Sequence, residues 1–254
     1  MTIAPSRGSI RFRRSKVVSV AKTLEKILGI PRPPKKLAKP LDMLIATILS
    51  QNTNDKNSHR AYLNLRKKYP HWNDLLHTSV RRIAKDIRLA GMANQKSVHI
   101  KKILKIVRER YGKVDLSALK KKSNEEIIAE LTAFNGVGVK TASCVLLFSL
   151  GRDAFPVDTH VHRICNRLAF IPKTASPEKT FEAMKHLVPK GKGYSFHTNL
   201  IRFGRKICRA HRPLCGICPV YNECIFEQKN KFRVQTPRTK LATDHDFMLL
   251  DNVA

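Results

Sequence analysis

The spacing of the apolar residues constrains the fold of this chain more than any other feature of the sequence. Along almost all of its 254 residues, apolar side chains recur every three or four positions, which is the period of an amphipathic α-helix. No alternating run predicts a β-hairpin, and no strand–helix–strand pattern predicts a parallel sheet. We therefore predict an all-α fold. Helices are expected over residues 17–28, 41–49, 55–68, 79–89, 95–110, 124–134, 140–150, 158–170, 176–188 and 193–207.

A short glycine turn, Gly-Val-Gly at residues 136–138, separates two of these helices. The helix before it opens on Ser123 and Glu126, which are spaced as a capping box. The helix after it has Lys140 on its first turn, where unpaired N–H groups and the positive end of the helix dipole favour an anion. Glycines would let the backbone approach such an anion closely. The pattern predicts either a clamp on one nucleic-acid phosphate or an ordinary turn between two core helices.

The charge of the chain favours a polyanionic partner. Lysine and arginine number 49 against 19 aspartates and glutamates, which gives a formal net charge of +30. So large an excess opposes compaction by self-repulsion, and nucleic acid is the partner that best explains it. An anionic membrane surface is the alternative, but no apolar run approaches the roughly 20 residues of a membrane span.

Four of the six cysteines follow the spacing C-x6-C-x2-C-x5-C near the end of the chain: Cys208, Cys215, Cys218 and Cys224. No apolar secretory segment opens the chain, so the run predicts a metal centre rather than disulfides. A structural zinc site usually uses two C-x2-C pairs, and only one is present. An iron–sulfur cluster suits the spacing at least as well, and on spacing alone both metals remain open. A metal here would present Arg209 and Arg212 outward to phosphates, while Cys144 and Cys165 lie in apolar helical patterns and are predicted to be buried.

Both ends of the chain are basic. Residues 1–16 carry five basic residues and no acidic one, which predicts either a solvated disordered tail or an arm that touches DNA. Residues after about 230 are polar and basic and are predicted to be poorly ordered. A proline-rich stretch at residues 31–40 is predicted to connect two domains.

Together these motifs resemble the endonuclease III family of DNA repair glycosylases, in the helix-hairpin-helix superfamily. The resemblance rests on GVGVKTA at 136–142, VDTHVHRICNR at 157–167, the spacing from Lys140 to Asp158 and the cysteine run. It implies a two-domain helical fold with DNA bound in a cleft between the domains. The implied segments are an N-terminal arm and helix that join the cluster domain, a helical barrel with the hairpin, a [4Fe-4S] cluster domain and a tail: 1–33, 34–152, 153–230 and 231–254.

The resemblance also implies the chemistry. Enzymes of this family remove oxidised pyrimidines and then cleave 3′ to the abasic site by β-elimination through a lysine Schiff base. Their catalytic lysine and aspartate fall on Lys140 and Asp158, and the four cysteines of the run would bind the [4Fe-4S] cluster. Lys140 would attack the sugar as a neutral amine, and Asp158 would accept its proton or stabilise positive charge on the sugar. The residues implied to contact DNA are Gln51, Asn52, Met92, Gly136, Val137, Gly138, His160, Arg209 and Arg212.

Three of these positions admit more than one interpretation. Asn52 stands where the family usually has a glutamine that fills the space left by the flipped base, and Gln51 beside it could serve instead. Met92 stands where the family commonly has a leucine that wedges into the opposite strand, and an inert loop methionine is the other interpretation. His160 either shapes the pocket or makes a structural hydrogen bond.

Other functions stay open on the sequence alone. Monofunctional glycosylases of the same fold act on mismatched thymine or uracil or on adenine, although such relatives typically lack the lysine, and a related enzyme acts on pyrimidine dimers. An alternative of another class is a non-catalytic DNA-binding module, in which the hairpin would clamp phosphate and the cluster would be structural. We expect a monomer that binds damaged double-stranded DNA and no membrane. Because no clear targeting signal is present, we expect it inside the cell, in the cytoplasm or nucleoid.

Overall fold

The computed structural model describes residues 7–235 and residue 253. Across that part of the chain the structure is helical and contains no β-strand, which confirms the predicted all-α class. Its α-helices, numbered α1 to α12 in chain order, are Arg7–Leu28, Pro40–Ser50, Asp55–Lys68, Asp74–His77, Val80–Asp86, Ala93–Tyr111, Asn124–Thr132, Val139–Cys144, Thr159–Arg167, Pro177–Leu187, Gly193–Lys206 and Lys229–Val234. Short 3-10 turns lie at Arg88–Ala90, Ser117–Lys121 and Cys215–Ile217, and a π-helical turn lies at Val145–Ser149.

The chain folds into two compact units. Within the described residues, the central unit comprises residues 33–152 together with residue 253, and the terminal unit comprises residues 7–32 and 153–235. Between residues 7 and 235 the chain thus passes between the units once inside the proline-rich stretch and once after Arg152. No helix among the described residues is both long and apolar enough to cross a membrane.

Helix α2 lies in the core of the central unit, because every residue from Pro40 to Leu49 is buried. Asp42 is the charged side chain among them, and its carboxylate accepts hydrogen bonds from Tyr62 Oη and Trp72 Nε1, each 3.1 Å away. Arg66 adds an ion pair at 3.7 Å. A buried carboxylate is tolerated when it is paired in this way. The predicted buried helix is therefore confirmed.

Helices α7 and α8 flank the glycine turn of the central unit. Ser123 Oγ accepts a hydrogen bond from the N–H of Glu126 at 3.2 Å, and the Glu126 carboxylate accepts one from the N–H of Ser123 at 2.7 Å. This confirms the predicted capping box at the start of α7. After α8 the backbone widens into the π turn, where the N–H of Leu150 bonds the carbonyl of Val145 at 3.1 Å. Such turns interrupt the regular helical ladder.

Helices α9 and α11 pack closely in the terminal unit. Gly204 of α11 permits this approach, since a Cβ there would lie only 2.9 Å from the Cβ of His160 on α9. Phe196 of α11 stacks on Phe155, with ring centroids 5.6 Å apart, and both rings are buried. Helix α1 also packs against α11. These contacts hold α9 in place, and with it two of the predicted site residues, the N-cap Asp158 and His160.

The predicted disordered tail is wrong over residues 7–16, which belong to α1, whereas their contact with DNA stays a prediction. Val17, Val20 and Leu24 are fully buried and anchor this helix. The arginine-rich residues before them have high helix propensity, so the helix continues beyond its buried part. At the other end, α12 is helical where the predicted tail would begin. The remaining tail predictions fall on residues 1–6, 236–252 and 254, outside the described residues.

Candidate functional site

The two glycines of the turn meet different surroundings. Gly136 has a φ of 83°, and a Cβ there would lie 2.2 Å from Nδ1 of His99, so glycine alone fits the position. Gly138 caps α8 with an ordinary φ of −94°, and a Cβ on it would meet no atom within 4 Å. The exposed backbone at Gly138 therefore has open space in front of it.

Lys140 is the second residue of α8 and is half-buried. Its ammonium forms no hydrogen bond or ion pair with any other residue in the described part of the chain. The next residue, Thr141, is buried and contacts Gln51, whose Nε2 lies 3.4 Å from its Oγ1. The structure thus places the predicted lysine beside the turn with its amine unpaired.

The amide residues after α2 lie against both loops that were predicted to contact DNA. Gln51 Nε2 donates a hydrogen bond to the carbonyl of Gly136 at 3.0 Å, which ties the amide loop to the glycine turn. Asn52 is exposed, and its Nδ2 lies 3.5 Å from Sδ of Met92. Met92 is itself 50% exposed, as a wedge residue would be. The structure therefore brings Gln51, Asn52, Met92 and the turn together within the central unit.

Asp158 and His160 lie at the start of α9 in the terminal unit. Asp158 Oδ1 accepts a hydrogen bond from the N–H of Val161 at 2.8 Å, which confirms it as the N-cap of the helix. Nδ1 of His160 lies 3.0 Å from a guanidinium nitrogen of Arg163, so Nδ1 is the acceptor. Burial lowers the pKa of His160, the nearby Asp158 opposes this, and Arg163 and Arg205 reinforce it. We infer a neutral ring with its proton on Nε2.

Two arginines on α9, which the sequence analysis did not single out, hold the start of the cysteine loop. Arg163 donates to the carbonyl of Cys208 at 2.8 and 3.1 Å and to that of Gly204 at 3.1 Å. Arg167, one helical turn later, donates to the carbonyls of Arg209 and Ala210 at 2.7 and 3.2 Å. The signal was present in VDTHVHRICNR, because its two arginines are four residues apart and so share one helix face.

The four clustered cysteines are half-buried free thiols: Cys208, Cys215, Cys218 and Cys224. Burial raises the pKa of the last three, to about 12 for Cys218, and the negative charge of Cys208 raises each of them further. The thiols therefore share one neighbourhood. Within the described residues, no three His, Cys, Asp or Glu side chains converge closely enough to hold a single metal ion.

The surroundings of these thiols suit thiolate ligands. A guanidinium nitrogen of Arg167 lies 3.4 Å from Sγ of Cys208, and the N–H of Phe226 donates to Sγ of Cys224 at 3.4 Å. The positive charge of Lys229 lowers the pKa of Cys224 and so opposes the effect of burial. Four soft sulfur donors with such partners are the type of ligand that an iron–sulfur cluster requires. The other two cysteines, Cys144 and Cys165, do not belong to this group and are fully buried, as predicted.

Arg209 and Arg212 are both exposed in the loop between the first two clustered cysteines. Arg209 Nε donates to the carbonyl of Arg205 at 3.3 Å. Arg212 has a φ of 49°, which lies in the left-handed region. The outward placement expected of both residues agrees with their exposure, whereas their contact with DNA stays a prediction.

Known proteins similar to this chain bear on its class. Residues 45–190 match the sequence model of the family described as HhH-GPD superfamily base excision DNA repair protein. A putative DNA glycosylase of Arabidopsis thaliana is 41% identical over 210 residues, which cover 83% of this chain and 65% of the plant protein. Endonuclease III of Thermotoga maritima is 36% identical over 217 residues, which cover 84% of this chain and 97% of that protein.

A solved structure is also similar. It is described as a trapped endonuclease III–DNA covalent intermediate, and it matches with a TM-score of 0.74 at 26% identity, over 86% of this chain and 97% of that one. The chain belongs to the HhH-GPD superfamily of base excision DNA repair proteins. Within that superfamily it belongs with the endonuclease III-like DNA glycosylases.

Proposed function

We propose that the protein removes an oxidised pyrimidine from double-stranded DNA and then cleaves the strand 3′ to the abasic site. One observation carries this proposal: Lys140 stands half-buried on the first turn of α8, and no group in the described residues pairs with its amine. An amine outside any ion pair can act as a nucleophile once it has lost its proton. Family membership supports the same assignment, as does the covalent DNA complex of a similar protein.

The proposed reaction uses Lys140 in each covalent step. The neutral amine attacks C1′ of the sugar, the bond from C1′ to the base breaks, and the base leaves with that electron pair and takes up a proton. The sugar ring then opens to give an imine between C1′ and the lysine nitrogen. The imine acidifies C2′, and after loss of the C2′ proton the remaining electron pair expels the 3′ phosphate. Hydrolysis of the imine frees Lys140.

Asp158 assists this reaction through its charge. One carboxylate oxygen already accepts the N–H of Val161, so the other oxygen is assigned to the positive charge that develops on the sugar. His160 stays neutral because burial lowers its pKa. Its Nε2–H is then a donor for a DNA oxygen, which gives the residue both a structural bond to Arg163 and a ligand contact.

The glycine turn provides the clamp on the DNA backbone. The N–H groups of the first turn of α8 have no acceptor within the helix and suit a phosphate oxygen. The open space in front of Gly138 lets that phosphate approach. Arg209 and Arg212, both exposed, are assigned to further phosphates.

Asn52 and Met92 are assigned to the inside of the duplex. A flipped base leaves a space that a protein side chain must fill. The Gln51 amide nitrogen already donates to the carbonyl of Gly136, whereas Asn52 is exposed beside Met92. We therefore assign Asn52 rather than Gln51 to that space, and Met92 to the strand opposite the lesion.

The clustered cysteines are assigned to a [4Fe-4S] cluster. The thiolates of Cys208, Cys215, Cys218 and Cys224 would hold the cluster, which would link the two ends of the loop that they span. Arg167 and Lys229 supply positive charge that stabilises the thiolates. The cluster is not assigned to any step of the reaction.

A strand-cleavage assay tests the proposal. The wild-type protein should cut a duplex containing thymine glycol or an abasic site and leave an unsaturated aldehyde on the 3′ end of the upstream fragment. Lys140→Gln should bind the same duplex and cut neither substrate. Lys179→Gln, which changes an exposed lysine on the first turn of α10, is the matched control and should cut normally.

The same assay separates the other candidate functions. Release of a base without cutting would identify a monofunctional glycosylase, and binding without release would identify a non-catalytic module. Cutting by Lys140→Gln at the wild-type rate would refute the assigned nucleophile.

A further inference from the structure

Lys96 is a buried lysine whose ammonium bonds three backbone carbonyls. The residue lies on the first turn of α6 and is only 2% exposed. Its Nζ donates to the carbonyls of Leu49 at 2.8 Å, Gln51 at 2.6 Å and Ala90 at 2.7 Å. An ammonium has three N–H donors, so each donor has one carbonyl.

These three carbonyls lie at the C-terminal ends of two helical segments. Leu49 and Gln51 lie at the end of α2, and Ala90 ends a 3-10 turn. The last carbonyls of a helix accept no hydrogen bond from N–H groups of the same helix, and they carry its partial negative charge. Lys96 satisfies both ends at once. Within the described residues no carboxylate pairs with it, and burial lowers its pKa to about 8.

A residue one or two positions after two of these carbonyls is held in an uncommon backbone conformation: Asn52 follows Gln51 directly, and Met92 follows Ala90 by two residues. Asn52 has a φ of 51° and Met92 a φ of 47°, and neither is glycine. Such conformations persist only when the surrounding structure imposes them, and they cluster at ligand-contacting sites. Among the three carbonyls that the ammonium bonds, those of Gln51 and Ala90 lie nearest in sequence to the two strained residues. Both of these carbonyls accept a hydrogen bond from the ammonium of Lys96.

We propose that Lys96 is a positioning residue for base extrusion, which holds residues 51–52 and 91–92 together in the shape that enters the duplex. The proposal rests on the proposed function in assigning Asn52 and Met92 to the DNA. Lys96 itself touches no DNA, because it is buried. Losing its ammonium should loosen both segments together and should weaken insertion while leaving the chemistry at Lys140 intact.

The test compares Lys96→Met with wild type and with Lys102→Met, which changes an exposed lysine on the same helix. The first readout is the fluorescence of 2-aminopurine placed beside a tetrahydrofuran abasic analogue in duplex DNA. Insertion unstacks the probe and raises its fluorescence in wild type and in Lys102→Met, whereas Lys96→Met should give little rise at saturating protein. This arm needs no chemistry, so it stands even if Lys140 is not the nucleophile.

The second readout is the single-turnover rate of strand cleavage at an abasic site. For Lys96→Met the rate on duplex should fall about 100-fold, as expected for a misplaced loop, while the rate on single-stranded DNA stays near wild type. An equal loss on both substrates would show that Lys96 only supports the fold, and a normal fluorescence rise would also overturn the proposal. Should Lys96→Met not fold, Lys96→Gln, which keeps two N–H donors, is measured by the same ratio of duplex to single-strand rates.

Discussion

Gly136 and Gly138 share one three-residue turn, yet the structure requires glycine only at the first. Gly136→Ala should lower the free energy of unfolding by about 2–4 kcal/mol, because it combines a positive φ with a clash against His99. Gly138→Ala should leave that free energy unchanged but weaken DNA binding, since its new methyl group would fill the space assigned to a phosphate. Urea unfolding and fluorescence anisotropy measure the two effects. Normal DNA binding by Gly138→Ala would contradict the clamp.

Asp158 combines a capping role with the proposed catalytic one, and the substitution to asparagine separates them. Asparagine caps helices as well as aspartate does, so Asp158→Asn should leave the free energy of unfolding nearly unchanged. Its abasic-site cleavage should fall about 100-fold, because the negative charge is lost. Asp158→Ala should lose about 1 kcal/mol of stability in addition. If Asp158→Asn cleaved the abasic site at the wild-type rate, Asp158 would have only the role of a helix cap.

Asp86 gives the stability of the central unit a dependence on pH. Burial alone would raise its pKa, but hydrogen bonds from Lys68 and Tyr69 and the charge of Arg82 outweigh burial and lower it. Because the pKa in the folded state lies below that of the unfolded chain, the stabilisation is present above about pH 4 and is lost as pH falls through the folded value.

Asp86→Asn should therefore cost about 2 kcal/mol at pH 7 and progressively less below pH 4. Urea unfolding of both proteins across this range measures the difference. A cost that does not change with pH would show that the carboxylate charge contributes nothing.

At the scale of the elements, the sequence predicted what local patterns determine. The cap of α7 by Ser123 and Glu126, the cap of α9 by Asp158 and the burial of α2 all follow from residues close in sequence. The predicted helix over 79–89 instead divides into α5 and a 3-10 turn, with Ile87 in a non-helical conformation. The carbonyl that ends this turn bonds Lys96, a tertiary contact that no local pattern reveals.

The same limit applies to the site residues. Lys140, Asp158 and the cysteine run were found because motifs mark them, and the structure adds their local surroundings. Arg163 and Arg167 were missed, because their importance lies in carbonyls more than forty residues away in sequence. Lys96 did carry a signal, since it precedes the buried stripe of Ile100, Ile103 and Val107 by one helical turn. A lysine in line with such a stripe must find acceptors inside the protein.

The cysteine loop should depend on its cluster for order. We expect iron removal by oxidation and chelation to make the segment between Cys208 and Cys224 cleavable by trypsin, first after the exposed Arg209. The bond after Lys96, a buried lysine in the other unit, should stay resistant. Mass spectrometry of the fragments and the visible absorbance of the cluster measure both effects. Equal cleavage with and without iron would show that Arg163 and Arg167 suffice to hold the loop.

At the scale of the whole molecule, the net charge of +30 is explained by a polyanionic partner. Phosphate contacts release counterions, so binding should weaken steeply as salt increases. In the proposed function this charge accounts for affinity, whereas the unpaired amine of Lys140 accounts for the chemistry. We propose above all that this single amine forms a covalent bond to the sugar of damaged DNA.

Borohydride trapping followed by peptide mapping measures that bond directly. Reduction during reaction with an abasic duplex should give a covalent protein–DNA complex, and digestion should place the sugar on the peptide that contains Lys140. Lys140→Gln should give no complex, and Lys179→Gln should give as much as wild type. A complex that maps to another residue, or that persists in Lys140→Gln, would contradict the account.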